Sequence, residues 1–310
     1  MHDLIIIGGG PAGTSAAVYA ARKRLKTIFL TSEWGGQSAV SSEIQNWIGT
    51  PAIMGADLAD NLKKHVEAYK GDVLQIVSPS QAISLKTFDD HVEVMTKKGD
   101  VYSALTALVT TGAQRRKLEV PGAAEFDNKG LTYCASCDGP LFAGQDVAVI
   151  GGGNAAFETA LQLLAYCKSV TLLNRTEDFR ADEITIAAAK SHANMRIITN
   201  ATPSEVVGEK FVTGLKWKDA QGIESLLPVA GIFVEIGLLP NSGWLGDALE
   251  LNAVKQIKVD PKTQRASHPR VWAAGDITDG LYHQNNIAAG DAVKALEDIY
   301  MSIRKNKSEA

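Results

Sequence analysis

A short apolar run, a glycine loop and a helix follow one another twice in this chain, 143 positions apart. Leu4 to Ile7 leads into Gly8-Gly9-Gly10-Pro11-Ala12-Gly13 and then Ala16, Ala17, Ala20 and Ala21. Val147 to Ile150 leads into Gly151-Gly152-Gly153-Asn154-Ala155-Ala156. Such unbroken apolar runs suit strands buried on both faces, as in a parallel sheet covered by helices. In G-x-G-x-x-G the first glycine permits the tight turn and the second lets the backbone approach a pyrophosphate. The third lets helix and strand pack closely, and the helix N-terminus attracts the phosphate charge. Gly8, Gly10 and Gly13 carry this pattern, and Gly151, Gly153 and Ala156 repeat it with alanine last. Two dinucleotide-type domains are therefore expected. A late strand (Val271 to Asp276) and a helix from Ile287 to about Ile303 close the chain. If they pack on the first domain, the second is an insertion within it.

At 310 residues the chain is long enough for about two domains with their own cores. A formal net charge of −4 argues against binding nucleic acid, which needs clustered Lys and Arg. Three cysteines make no secreted disulfide framework. No apolar run is long enough to span a bilayer, and Met1 to Ile7 does not read as a secretion signal. The expectation is a cytoplasmic protein without membrane contact.

Cys134-Ala135-Ser136-Cys137-Asp138 is the sharpest chemical signal. Two cysteines three apart can close a small, exchangeable disulfide. Zinc would need two further ligands; Cys167 stands alone and none of the six histidines has ligand spacing. A redox pair is favoured and no metal is expected. Asp138 is placed to move a proton at a leaving thiolate, or else to cap the turn. Glu33, 20 residues after Gly13, stands where an acid would meet a ribose hydroxyl. After the strand at Val170 to Leu173 come Asn174-Arg175-Thr176-Glu177-Asp178-Phe179-Arg180. Arg175 and Arg180 could pair a 2′-phosphate, whereas Glu177 and Asp178 would oppose one; a solvated charged turn is the alternative.

From end to end the chain resembles the low-molecular-weight thioredoxin reductases. The resemblance is carried by residues 8–13, by Gly35-Gly36-Gln37 with Glu43-Ile44-Gln45-Asn46-Trp47, and by Thr110-Thr111-Gly112-Ala113 with Val120-Pro121-Gly122. It continues in Cys134 to Gly139, Gly237-Leu238-Leu239-Pro240-Asn241 and Ala273-Ala274-Gly275-Asp276. It implies an α/β fold of two Rossmann-like domains, of the FAD/NAD(P)-binding, three-layer ββα kind. An FAD domain at 1–113 and 244–310 would receive a pyridine-nucleotide-like domain at 114–243. The matching positions imply FAD contacts from Gly8, Gly10, Pro11, Ala12, Gly13, Glu33, Gly36, Gln37, Asn46, Thr111, Gly112 and Ala113. Gly275, Asp276, His283, Gln284 and Asn285 complete that set. Gly151, Gly153, Ala156, Arg175 and Arg180 would hold NADP.

The resemblance also implies a homodimer that passes electrons from a donor to FAD, to a Cys134–Cys137 disulfide, and on to thioredoxin or a similar protein. Cys137 would face the flavin, Cys134 would attack the partner and Asp138 would be the general acid. Two departures bear on the donor. The family's His-Arg-Arg appears as Asn174-Arg175-Thr176, and its Arg-Gln-Ala near the flavin as His283-Gln284-Asn285. His283 is expected beside the flavin ring. NADPH leads as donor, ferredoxin or another non-pyridine carrier follows, and NADH is third. A different protein disulfide as substrate, or a flavin redox sensor with little turnover, are the other readings.

Overall fold

The computed structural model describes residues 1–41, 44, 46–133 and 135–309, with backbone alone at 136, 137 and 306–309. The chain forms two compact units. One comprises Met1–Gln114 and Leu239–Ala310, the other Arg115–Leu238. The outward crossing lies one residue from the 113/114 boundary read from the sequence. The return comes earlier than 243/244, because Asn241 already belongs to the first unit. Its backbone N–H donates to Gly112 O (2.9 Å) and its side-chain amide to Thr111 O (2.9 Å).

In the first unit a parallel core of strands is ordered Leu74–Val77, Thr27–Leu30, His2–Ile7, Val101–Val109. Val271–Ala273 adds in parallel to the last of these, and Ala82–Thr87 and Val92–Thr96 continue the sheet antiparallel. Strand alternation decides the two faces. Leu4, Ile6, Phe29 and Leu108 pack under helices Pro11–Arg22 and Asn285–Glu309. Alanines 16, 17 and 20 are fully buried there, which lets the two helices approach closely. Ile5, Ile7, Ile28 and Val109 face the opposite layer, with Val94, Leu245 and Ile257. The helices cover one face of this sheet, and Leu245, Leu249 and Ile257 pack against the other.

The second unit repeats the plan. Its parallel sheet runs Met195–Ile198, Ser169–Leu173, Asp146–Ile150, Gly231–Val234, Leu131–Thr132. Helix Asn154–Leu164 buries Ala156, Phe157, Ala160 and Leu163 against Val147, Val149 and Phe233. An antiparallel sheet of Thr202–Gly208, Val212–Lys218 and Glu224–Pro228 covers the other face, through Val206, Leu215 and Val212. Among the described residues no helix is long and apolar enough to cross a membrane.

Candidate active site

A cleft of about 800 Å³ opens at the carboxyl ends of the first unit's parallel strands. That is where open α/β sheets bind their ligands. Gly8 has φ of +121°, and an ideal Cβ there would stand 2.2 Å from Thr110 O. A Cβ at Gly13 would stand 1.8 Å from Gly8 O, so strand end and helix start touch. Gly10 differs: its nearest neighbour to such a Cβ is Gly36 Cα, at 4.0 Å. The second glycine therefore leaves the cleft floor as bare backbone. Pro11 and Ala12 line the cleft at the first turn of the helix, whose leading N–H groups have no partners within the helix. Gly36 and Gly112, with φ of +55° and +60°, add two more positions without a side chain.

The remaining walls are polar at defined points. Glu33 lines the cleft, its carbonyl accepting a hydrogen bond from the Thr31 hydroxyl at the end of its strand. Gln37, Thr111, Ala113, Gly275, Asp276 and Asn285 also line it. Ser38 Oγ donates to Asn285 Oδ1 (2.8 Å), joining the loop after the second strand to the start of the last helix. Ser80, Gln81 and Lys255 are wall residues that no sequence pattern marked, and Asn241 joins them from the 237–241 block. The Ser80 hydroxyl is buried and has no partner among the described residues. A side-chain-free floor at a helix N-terminus, an acid for a ribose and an unsatisfied buried hydroxyl fit FAD.

Four residues expected at the cofactor are not on the wall. Gly13 lies beneath it, packed on Gly8. Asn46 and Gln284 form a separate contact, with Asn46 Nδ2 donating to Gln284 Oε1 (3.0 Å). Glu43 and Gln45 of the same block lie outside the described residues. His283 stands behind the wall, with Nδ1 3.5 Å from Asp276 Oδ1. Its hydrogen bond to Asp276 raises the imidazole pKa, and partial burial opposes this. A raised folded pKa means that protonated His283 stabilises the fold below the ordinary histidine value of about 6.5. That contribution is lost as pH rises through the folded value. His283→Gln should therefore destabilise the protein at pH 5.5 more than at pH 8.5, as urea unfolding midpoints would show.

In the second unit Gly151 has φ of +147°, and a Cβ there would meet Glu235 O at 2.2 Å. Nothing stands within 4 Å of a Cβ at Gly153, and Ala156 is fully buried. Asn174, 5% exposed, is the scaffold of the neighbouring loop. Its amide donates to Thr176 O and Asp178 O, both at 2.9 Å. Arg180 N donates to Gly152 O (2.7 Å), so the loop folds back along the glycine turn. Arg175 and Arg180 are both exposed beside it. Thr176, in place of a family arginine, is used internally, with Oγ1 donating to Asp178 O (3.0 Å).

Cys134 lies outside the described residues, as does the side chain of Cys137. The described neighbours form a defined cradle. Leu131–Thr132 ends the parallel sheet, and Ala135–Asp138 forms a short helix. The Thr132 hydroxyl donates to Asp138 Oδ2 across the cysteine segment. The Tyr133 carbonyl accepts from the Arg115 guanidinium. Arg115 Nη1 also pairs with Glu235 Oε1 (2.8 Å), which accepts from Thr159 Oγ1 (3.0 Å). Burial pushes the Glu235 carboxyl above its ordinary range, while Arg115 pulls it back. Cys167 is buried elsewhere in the unit, and burial pushes its thiol up to about 11. It is a packing residue and stays a thiol at neutral pH.

Two dinucleotide folds and a cysteine pair define the class: a flavin-dependent disulfide oxidoreductase. Residues 2–295 match the family described as pyridine nucleotide-disulphide oxidoreductase, and the chain belongs to it, in the low-molecular-weight thioredoxin reductase branch. The family uses FAD and NADPH. The chain is similar to thioredoxin reductase from Lactococcus lactis, 31% identical with a TM-score of 0.93, over 98% of this chain and 100% of that one. The thioredoxin reductase of T. acidophilum is 35% identical with a TM-score of 0.89, over 97% and 98%. An alkyl hydroperoxide reductase subunit of Staphylococcus aureus is 39% identical over 306 residues, 98% of this chain and 60% of that protein. The chain thus spans about 60% of the length of that curated relative.

Proposed function

We propose that this chain reduces the disulfide of thioredoxin or a thioredoxin-like protein. FAD would lie in the first unit and Cys134–Cys137 would act as the relay, with NADPH as donor. The observation that carries the reading is the C-x-x-C-D segment, in a chain that parallels a thioredoxin reductase over its full length. FAD, when bound, would supply two-electron redox chemistry between a hydride donor and the disulfide. Glu33, Gly10, Gly36, Gly112 and Asp276 would hold it. The Cys134 thiolate then attacks one substrate sulfur, and the other leaves and takes a proton from Asp138. Cys137 gives its proton back to Asp138, attacks Cys134 and releases the second substrate sulfur. Two electrons have moved, and the Cys134–Cys137 disulfide is restored. As in the family resemblance, the working form would be a homodimer.

NADPH is favoured over ferredoxin because the second glycine loop is fully built. Asn174 holds the signature loop in shape, Arg180 N ties it to the glycine turn, and Arg175 and Arg180 remain. A second reading is reduction of a peroxidase-type partner, favoured by the 39% identity to the alkyl hydroperoxide reductase component. Anaerobic titration of the yellow protein tests both halves. NADPH should bleach the flavin well before NADH does, and oxidised thioredoxin should restore the colour. Bleaching by dithionite but by neither nucleotide would shift the donor to a ferredoxin-like carrier. Recolouring by a disulfide-form peroxidase but not by thioredoxin would favour the second reading.

A further inference from the structure

We propose that Thr132 is a positioning residue for proton transfer at the cysteine pair, acting through the carboxylate of Asp138. The proposal rests on the reading that Cys134 and Cys137 form the working dithiol. Thr132 is the last residue of its strand, 4% exposed, and its register with Phe233 in the parallel sheet fixes its backbone. A hydroxyl so buried requires a hydrogen bond, and it donates one to Asp138 Oδ2, six residues on and past the cysteine segment. The next carbonyl, that of Tyr133, is held by Arg115, and Arg115 is held by Glu235, whose side chain is 8% exposed. Both flanks of the segment are thus tied to one anchored strand end.

A carboxylate on a four-residue helix has two free side-chain torsions. The Thr132 hydroxyl fixes its orientation, and general acids act only from a defined position. The step it serves is protonation of the departing substrate sulfur. Cys134 forms a bond to one sulfur of the substrate, the substrate S–S bond breaks, and Asp138 gives its proton to the sulfur that leaves. An alkyl thiolate leaves poorly without that proton, whereas an aryl thiolate of low pKa leaves unaided. The two kinds of disulfide therefore report on Asp138 separately.

The test uses full-length protein reduced with dithiothreitol and desalted, so that neither donor nor flavin reduction enters. Single-turnover transfer is followed to hydroxyethyl disulfide, a dialkyl substrate, and to Ellman's reagent, an aryl one. Thr132→Val should slow transfer to hydroxyethyl disulfide about tenfold, part of the roughly 10²–10⁴ that a general acid supplies. Transfer to Ellman's reagent should stay within about twofold of the parent protein, since its leaving group needs no acid. Thr132→Ser, which keeps the hydroxyl, should restore the dialkyl rate. Thr132→Val equal to the parent with both reagents, or slowed equally with both, overturns the proposal. Cys137→Ser should stop at a mixed disulfide; complete two-electron transfer by that variant overturns the dithiol reading and this proposal together.

Discussion

Cys137→Ser is expected to purify as a yellow protein with its full complement of flavin and to lose disulfide reduction by roughly 10³-fold or more. A serine hydroxyl cannot form the second half of a disulfide, so two electrons cannot leave the flavin as a dithiol. The cleft that fits FAD draws all its lining residues from the first unit, and Cys137 belongs to the second. Cofactor content and turnover should therefore separate. The measurement is flavin absorbance per chain beside steady-state reduction of thioredoxin. Cys167→Ala is the matched control. Its thiol is buried and pushed up to about 11, so loss of that sulfur should cost packing and leave turnover near the parent value. Retained turnover in Cys137→Ser would remove the relay from the scheme.

The sequence made one kind of information plain and left another invisible. The two strand–glycine–helix units were legible because a buried parallel strand and a phosphate turn write themselves into consecutive residues. Leu4 to Ile7 and Val147 to Ile150 are zero to 4% exposed, as unbroken apolar runs require. The C-x-x-C-D segment also stands out in the sequence because its residues are consecutive, and its redox role belongs to the proposal. What could not be read are pairings across distance. Arg115 meets Glu235 120 positions later, and Ser80 reaches the cleft wall from a turn with no phosphate motif. Leu131–Thr132 is a two-residue strand that exists because Ile232 and Phe233 lie beside it. Glu224–Pro228 is largely exposed and has no alternating pattern; it pairs because Val212–Lys218 offers an edge. Asn174 drew notice for the family histidine it replaces, yet its structural part is to donate two hydrogen bonds that shape the loop.

Gly13→Ala should be the most damaging single-methyl change in the first unit. Inside an exposed helix, alanine for glycine stabilises by about 1 kcal/mol. Here the added Cβ would stand 1.8 Å from Gly8 O and 2.7 Å from Thr110 Oγ1. The nearest of these atoms is backbone, in a turn whose own glycine has φ of +121°. Thr110 Oγ1 cannot withdraw freely either, because it donates to Ile7 O at 2.8 Å. Helix and strand would have to separate, breaking the contact that sets the helix N-terminus over the cleft. The cost is expected to be about 3 kcal/mol or more, at or above the upper end of what overpacked cores cost when the backbone must shift. Purified Gly13→Ala should carry little or no flavin and melt well below the parent protein. Gly144→Ala calibrates the strain of a left-handed position alone, having φ of +73° and nothing within 4 Å of its Cβ. That variant should lose about 1–2 kcal/mol and keep its flavin. If the two glycine variants lost equal stability and both stayed yellow, close packing at residue 13 would not be what holds the phosphate turn in place.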